Sequence, residues 1–219
     1  MSDSDRLENR IKKEHYLREQ LDDVMTPKQI DFVVPYFLDF PFRLKIIPKR
    51  KTYAGLCRMP RNKYEEFVIS VAYNPVKAVF FIVFLHEIAH MIVHIEKGRK
   101  ISSSHGIEWS NAFRELLLQS LEKNCFYENE MFILQQFFRS GKKVTNKSMS
   151  SVEMIITDLY ATNVIRLKDI PDQAVFTLKN GMTMKKVKKM RTRYHCIEAF
   201  TGKQYRVHLS AEVISWKSE

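Results

Sequence analysis

Residues 86–90 read His-Glu-Ile-Ala-His, an HExxH pattern whose residue types and spacing suit metal chemistry. On a helix, positions i and i+4 lie on one face, so His86 and His90 can bind one zinc ion at about 2.0–2.1 Å. Glu87 lies about 100° around the helix from His86, where it can reach a metal-bound water. Zinc lowers the pKa of that water to about 7, and the carboxylate takes its proton. The resulting hydroxide is a nucleophile for peptide-bond hydrolysis.

The motif also has a simpler interpretation, because short patterns arise by chance and buried histidines are often ordinary core residues. Here the pattern follows directly after the longest apolar run of the chain, Ala78–Leu85, so its helix is expected to be buried. Two imidazoles and a carboxylate are costly to bury without polar partners, and a metal ion supplies such partners. We therefore favour a single catalytic Zn²⁺ site over ordinary core packing.

A catalytic zinc needs a third protein ligand, with the fourth position left open for water. The metzincin pattern would place histidine at position 96, where this chain has Glu96. The gluzincin pattern uses a glutamate on the next helix, which makes Glu108 and Glu115 possible ligands.

The preferred third ligand is His105. It follows a loop off the end of the motif helix, so the chain can double back towards the motif. Gly106 permits close backbone approach, and Trp109 follows one turn later, where it can pack beneath the site. His94, one turn past His90, is expected to lie too far along the helix axis to share the ion.

The motif helix is predicted to begin at Asn74-Pro75 and to end at about Lys97, with Gly98 as its stop. Three strand-like runs precede it, at residues 42–47, 52–58 and 67–73. Two helical segments follow it, the second at about residues 129–138.

Two further helices are predicted at the N-terminus. The first is a charged helix over Ser4–Val24. The second begins at Thr26-Pro27, a capping hydroxyl followed by proline at the first helical position. Pro35 would kink or end it early, and Pro41 is its latest stop.

The composition excludes several classes of protein. The 219 residues are 45% hydrophobic, enough for a packed core, which excludes wholesale disorder. Three cysteines without a CxxC pair exclude a disulfide scaffold and a four-cysteine zinc ribbon. The charged N-terminus does not resemble a signal peptide, and no apolar run approaches the roughly 20 residues of a membrane span. We expect a cytoplasmic protein without a membrane partner.

The net charge of +11 is uneven, since residues 141–219 carry 15 Lys+Arg against 7 Asp+Glu. The same segment is polar at first, and its Ser150–Glu153 spacing predicts the start of a short helix to Thr162. Strands follow, with hairpin turns at Asn180-Gly181 and, less clearly, Thr201-Gly202. The sequence predicts a catalytic domain over residues 1–140 and a basic, β-rich module over residues 141–219.

The basic module contains a run of six cations within nine residues, followed directly by an aromatic residue. Such a strand suits a nucleic-acid backbone with occasional base stacking. It is equally consistent with a solvated edge strand whose lysines prevent aggregation. Alternation would divide the charges between both faces of the sheet, so the strand is expected to bury little. The candidate nucleic-acid residues are Lys185, Lys186, Lys188, Lys189, Arg191, Arg193 and Tyr194.

HEIAH, followed about fifteen residues later by HGIEW, resembles the SprT-like family of zinc metallopeptidases. This family includes the DNA-dependent protease Spartan, which degrades proteins crosslinked to DNA. TYAGLCR and FVISVAY resemble the paired strands that precede the family's motif helix, and HGIEWSNAFRELL resembles its third-ligand helix. The resemblance is greatest to short bacterial SprT-like proteins and extends to RTRYHCIEAFTGKQY, so that it covers most of the chain.

The resemblance implies that His86, His90 and His105 bind zinc and that Glu87 is the general base. It also implies that an edge strand, drawn from FVISVAY or TYAGLCR, holds an extended peptide substrate by strand addition. Many family members end in a four-cysteine zinc ribbon, whereas this chain keeps only Cys196 of the first knuckle and has Ala199 at the second position. The C-terminal hairpins are therefore expected to be held by packing alone.

These observations predict an α+β fold: a zincin-like domain with a small antiparallel sheet, followed by a β-rich module that resembles a zinc ribbon without its cysteines. The predicted function is zinc-dependent hydrolysis of proteins, including DNA-bound or DNA-crosslinked ones. The alternative is a nucleic-acid-binding or regulatory protein whose zinc site is catalytically silent.

Overall fold

The computed structural model describes residues 3–40, 42–48, 54–62, 65–98, 103–161 and 165–218, and within these ranges the fold is mixed α+β. Six α-helices and nine strands in two sheets lie in this described part. The chain divides into two compact units, the first ending at Tyr160 and the second beginning at Ala161.

The first unit contains all six helices and a three-stranded sheet. Its helices are α1 (Asp3–Leu21), α2 (Pro27–Asp39), α3 (Lys77–Lys97), α4 (Ile107–Glu122), α5 (Glu128–Arg139) and α6 (Asn146–Tyr160). Its strands are β1 (Phe42–Ile47), β2 (Gly55–Arg58) and β3 (Phe67–Ala72). Positions 52 and 53 of the predicted second strand, position 41 and position 162 lie outside the described residues.

Helix α2 begins as the sequence predicts, with a reciprocal cap between Thr26 and Gln29. It continues through Pro35 to Asp39 instead of ending early. The helix buries Val33 and Phe37, on either side of the proline, in the core. The free energy gained by this apolar burial offsets the loss of the backbone hydrogen bond that proline cannot donate.

The sheet of the first unit is mixed, so the predicted antiparallel sheet was wrong in this respect. β3 lies in the centre, with β2 antiparallel on one side and β1 parallel on the other. Of the two candidate edge strands, FVISVAY supplies the central strand and TYAGLCR supplies the edge strand β2. Four of the six residues of β3 are buried, a pattern typical of a central strand.

Helix α3 is the core helix of the first unit. Thirteen of its residues are buried, and its apolar side chains contact the sheet on one side and α4 on another. By length and composition alone α3 is apolar enough to cross a membrane, but 72% of its apolar 18-residue stretch is buried inside the protein. It begins at Lys77, slightly later than predicted, and ends at Lys97, with Gly98 at a positive φ of 62° as the residue that stops it.

Helix α6 belongs to the first unit, whereas the sequence placed the domain boundary at residue 140. It buries Met149, Val152 and Ile156 in the same core as α3. The helix also begins one turn earlier than predicted, because Thr145 and Ser148 exchange capping hydrogen bonds. Glu153 therefore lies inside the helix instead of capping its start.

The second unit is a six-stranded sheet in the order β4-β9-β5-β6-β7-β8. Both predicted hairpins are present, and Gly181 and Gly202 take positive φ in their turns. One face packs over a small apolar core that includes Phe176, Met184 and Cys196. The strands are β4 (Ile165–Arg166), β5 (Val175–Leu178), β6 (Thr183–Lys189), β7 (Arg193–Glu198), β8 (Gln204–His208) and β9 (Glu212–Lys217).

Candidate metal centre

Three imidazoles converge in the first unit. The Nε2 atom of His86 lies 3.2 Å from Nε2 of His90 and 3.1 Å from Nε2 of His105. Possible ligand atoms of these three residues all lie within 4.8 Å of one another. Three histidine nitrogens about one point are a possible ligand set for a metal ion, so the donors fit a metal that is bound by nitrogen.

Helices α3 and α4 bring the three histidines together. His86 and His90 are one turn apart on α3, and His105 lies just before the first turn of α4. Trp109 fixes this arrangement, because its indole N–H donates to the carbonyl of His86. Its ring also contacts all three imidazoles, with centroid distances between 4.6 and 5.6 Å.

The other candidates for the third ligand lie outside this cluster. In the described part of the chain, the grouping contains the three histidines alone. The ring of His94 packs against Phe67, and the carboxylate of Glu115 accepts a hydrogen bond from Gln119. The geometry thus brings together the predicted set of His86, His90 and His105.

Burial keeps the imidazoles neutral. It lowers the pKa of His86 to about 3, and the nearby His90 and His105 contribute to this decrease. Burial and His105 lower the pKa of His90 to about 4, and burial also lowers the pKa of His105. A neutral imidazole has a free lone pair, so the site presents metal ligands that need not lose a proton.

Glu87 is the buried carboxylate of the site. Its side chain is almost fully covered, and burial raises its pKa to about 8 against the opposing effect of the backbone N–H of Cys57, which donates to it. Its Oε1 atom lies 4.0 Å from Nε2 of His86. The carboxylate therefore lies beside the imidazole cluster, outside the set of ligand atoms.

Gly55 of β2 makes room for this carboxylate. A Cβ atom at this position would overlap the carboxylate and Cγ of Glu87. Gly55 was not among the predicted site residues, although a glycine within a strand indicates close approach of another group.

A cavity of about 300 Å³ opens beside the histidines and Glu87. One wall comes from α6, which the sequence analysis did not connect with the site. Burial raises the pKa of Glu153, on this wall, to about 7. The lining residues are Ala54, Gly55, Val83, His86, Glu87, His105, Asn146, Ser150 and Glu153.

The chain matches no family model, no curated protein and no solved structure in the three comparisons. Its function is therefore inferred from the geometry and chemistry of its own residues.

The structure of the second unit removes two residues from the predicted nucleic-acid site. Lys186 and Tyr194 are buried, with relative exposures of 1% and 5%, so neither is available to a nucleic acid. The ammonium group of Lys186 donates to the carbonyl of Ile170, forms an ion pair with Asp172 and lies 3.9 Å from the ring centroid of Tyr194. The expectation that this strand buries little was wrong, because these partners satisfy a buried cation.

The remaining cations of the run are distributed over several positions. Lys188 and Arg193 are exposed on the face of the sheet opposite the core, and Lys185 is half-buried there. Lys189 is exposed at the end of β6, and Arg191 is exposed in the turn that follows.

The outer face also carries basic residues that the sequence analysis missed. Arg206 of β8 is exposed in the same cross-strand row as Lys188 and His195, and His208 pairs with Arg193. Cross-strand partners lie side by side on one face of a sheet. Only the strand order reveals this surface, which we call the basic face and define by Lys185, Lys188, Arg193, His195, Arg206 and His208.

Replacement of His105 by alanine tests the third ligand. Loss of a residue that only hydrogen-bonds a metal ligand lowers the metal affinity of a site about 10–100-fold. Loss of a direct ligand should therefore lower the zinc affinity at least about 100-fold. Competition with a chromophoric chelator measures the zinc affinity. Glu108→Gln is the control and should bind zinc as the wild type does; zinc loss in the control with retention in His105→Ala would reassign the ligand.

Replacement of Lys186 by alanine tests its role as a buried cation. The substitution removes its packed stem and leaves the carbonyl of Ile170 without this donor, which should destabilise the second unit by about 2–4 kcal/mol. Urea-dependent hydrogen exchange of β6 and β7 measures the destabilisation. Lys189→Ala, which removes an exposed cation from the same strand, should change little; equal effects of the two substitutions would contradict this role.

Proposed function

We propose that this protein is a zinc-dependent peptidase with a zincin-like catalytic unit, related to the SprT-like family. The observation that carries the proposal is the convergence of three imidazole Nε2 atoms beside the buried carboxylate of Glu87. Three histidines and an open fourth position are typical of catalytic zinc, whereas structural zinc sites are closed by four protein ligands.

In this proposal His86, His90 and His105 hold the ion through Nε2. Bound zinc supplies Lewis acidity, which acidifies a water and polarises the scissile carbonyl. The positive charge of a bound ion would oppose the burial that raises the pKa of Glu87, so the carboxylate would be ionised. It would take the proton from the attacking water and deliver it to the leaving amine. The N–H of Cys57 and the absence of a side chain at Gly55 hold that carboxylate in position.

The substrate in this proposal is an extended protein segment. In the described part of the sheet, β2 has no strand on the side away from β3. Its outward backbone groups, apart from the N–H of Cys57 that donates to Glu87, would therefore be open to pairing. An extended peptide that pairs with β2 would pass Gly55, and hence Glu87 and the histidines. The cavity beside these residues has room for substrate side chains.

We further propose nucleic acid as a partner, through the basic face. Lys188, Arg193 and Arg206 present guanidinium and ammonium groups on neighbouring strands, which suits a phosphate backbone. A peptidase with such a surface would act on proteins bound or crosslinked to DNA. A nucleic-acid-binding protein with a silent zinc site is the alternative that the same surface allows.

Replacement of Glu87 by glutamine separates the peptidase from the silent site. Glutamine keeps the shape of the side chain but cannot accept the proton, so hydrolysis of an unfolded protein substrate should fall about 10²–10⁴-fold. Zinc content should stay at the wild-type level. Quantified product formation, together with metal analysis of the same sample, measures both quantities.

Glu96→Gln is the matched control, because Glu96 is an exposed carboxylate near the end of the same helix. This control should cleave at the wild-type rate. Unchanged cleavage by the Glu87→Gln protein would contradict the mechanism, and absence of cleavage by zinc-loaded wild-type protein would favour the silent site.

Replacement of both Lys188 and Arg206 by alanine tests the basic face. If each side chain binds a phosphate, the slope of log affinity against log salt should decrease by about 0.7–0.9 for each phosphate that is no longer bound. Titration of a labelled oligonucleotide at several salt concentrations measures the slope, for single- and double-stranded DNA. Alanine at both Lys142 and Lys143, two exposed cations of the first unit, is the charge-matched control; an equal change in slope would show that only net charge matters.

A further inference from the structure

The cavity beside the histidines has an electrostatic character opposite to that of the chain. The protein has a net charge of +11, yet the charged residues that line this cavity, histidines aside, are Glu87 and Glu153. Among the described residues, neither Lys nor Arg lines it. Glu87 has a role as the proposed base, whereas Glu153 has none in the reaction described above.

Helix α6 places three polar side chains on the cavity wall. Asn146, Ser150 and Glu153 follow the spacing of one helix face, while Val152 and Ile156 of the same helix are buried in the core. Glu153 projects from this wall into the cavity that Glu87 also lines. The amphipathic pattern of α6 therefore turns a polar face towards the proposed reaction site.

The carboxylate of Glu153 has no partner among the described residues: none of them donates a hydrogen bond to it or forms an ion pair with it. It also lies outside the grouping of possible metal ligands, which contains His86, His90 and His105. Glu130, by contrast, is a buried carboxylate of the same unit that accepts hydrogen bonds from Tyr127 and Tyr160. A structural carboxylate in this unit thus has its donors, and Glu153 does not.

Glu153 is partly exposed, so its unpaired carboxylate is less well solvated than one on the open surface, and a ligand that supplies positive charge would stabilise it. Burial disfavours the ionised form of Glu153, which agrees with a cavity that lacks a cation. An ammonium or guanidinium group in the cavity would form a charge-assisted hydrogen bond with this carboxylate.

We propose that Glu153 is a specificity-determining residue that binds a cationic nitrogen of the substrate next to the scissile bond. The group is a lysine or arginine side chain, or the free α-amino group of a substrate N-terminus. This inference rests on the proposed peptidase function, because it assigns a substrate preference to the same site. The negative charge of Glu153 also complements the positive charge of the Lys- and Arg-rich proteins that bind nucleic acid.

The test measures binding without turnover, in zinc-loaded Glu87→Gln protein. Fluorescence anisotropy compares short flexible peptides that are acetylated at the N-terminus and carry lysine, norleucine or glutamate at the central position. A further norleucine peptide with a free N-terminus tests the α-amino group. Either the lysine peptide or the free-amine peptide should bind about tenfold more tightly than the acetylated norleucine peptide, and the tighter of the two identifies the cation.

Substitution of Glu153 then assigns the preference to this residue. Glu153→Gln should abolish the preference while zinc content is retained, and Glu153→Lys should reverse it in favour of the glutamate peptide. Asp158→Asn is the control, because it removes the same charge from the same helix at a position that does not line the cavity. The control should keep the full preference.

Three results would overturn the inference. The first two are equal binding of all four peptides and a cation preference that persists in Glu153→Gln. The third is a uniform loss of hydrolysis by Glu153→Gln in the otherwise wild-type protein without any change in peptide binding, which would place Glu153 in the chemistry instead of in recognition. Failure of the proposed peptidase function would give a different result. Wild-type protein would then cleave none of the peptides, while the binding preference persisted.

Discussion

The first unit depends on burying a helix that carries three ionisable groups at its centre. Most residues of helix α3 are buried; Glu87 in its middle is among them, and His86 and His90 are partly buried. Charged forms of these groups are costly in such surroundings. The pKa values show the consequence, since the imidazoles are held neutral and the carboxylate binds its proton more tightly than usual.

The neighbouring elements are arranged around this constraint. Trp109 of α4 covers the imidazoles and satisfies the carbonyl of His86, and the segment before α4 brings in His105. Gly55 of β2 leaves room for Glu87. Helix α6 closes the remaining side with a polar face, so four elements from distant parts of the sequence share one small volume.

Local periodicity made the central part of the site predictable. The i, i+4 spacing placed His86 and His90 on one face, and the short connection after Gly98 made His105 the best third ligand. The sheet order and the contribution of α6 were not predictable in this way, because they depend on packing between residues far apart in sequence. The mixed sheet, the role of Gly55 and the position of Glu153 all belong to this second group.

In the second unit, too, the features that depend on long-range packing were not predictable from the sequence. Alternation along β6 predicted that its cations divide between two faces, but not which face would be covered. Lys186 and Tyr194 lie on the covered face, where the ammonium group joins Ile170, Asp172 and the aromatic ring. The basic face instead uses Arg206 and His208 of β8, which only the strand pairing brings next to Lys188 and Arg193.

X-ray absorption at the zinc edge, on wild-type protein loaded with one equivalent of zinc, tests the central claim most directly. If the histidine cluster is a catalytic zinc site, the spectrum should show three imidazole ligands and one oxygen at about 2.0–2.1 Å. A sulfur ligand at about 2.3 Å, or fewer than three imidazoles, would contradict the assignment of His86, His90 and His105 as the metal ligands.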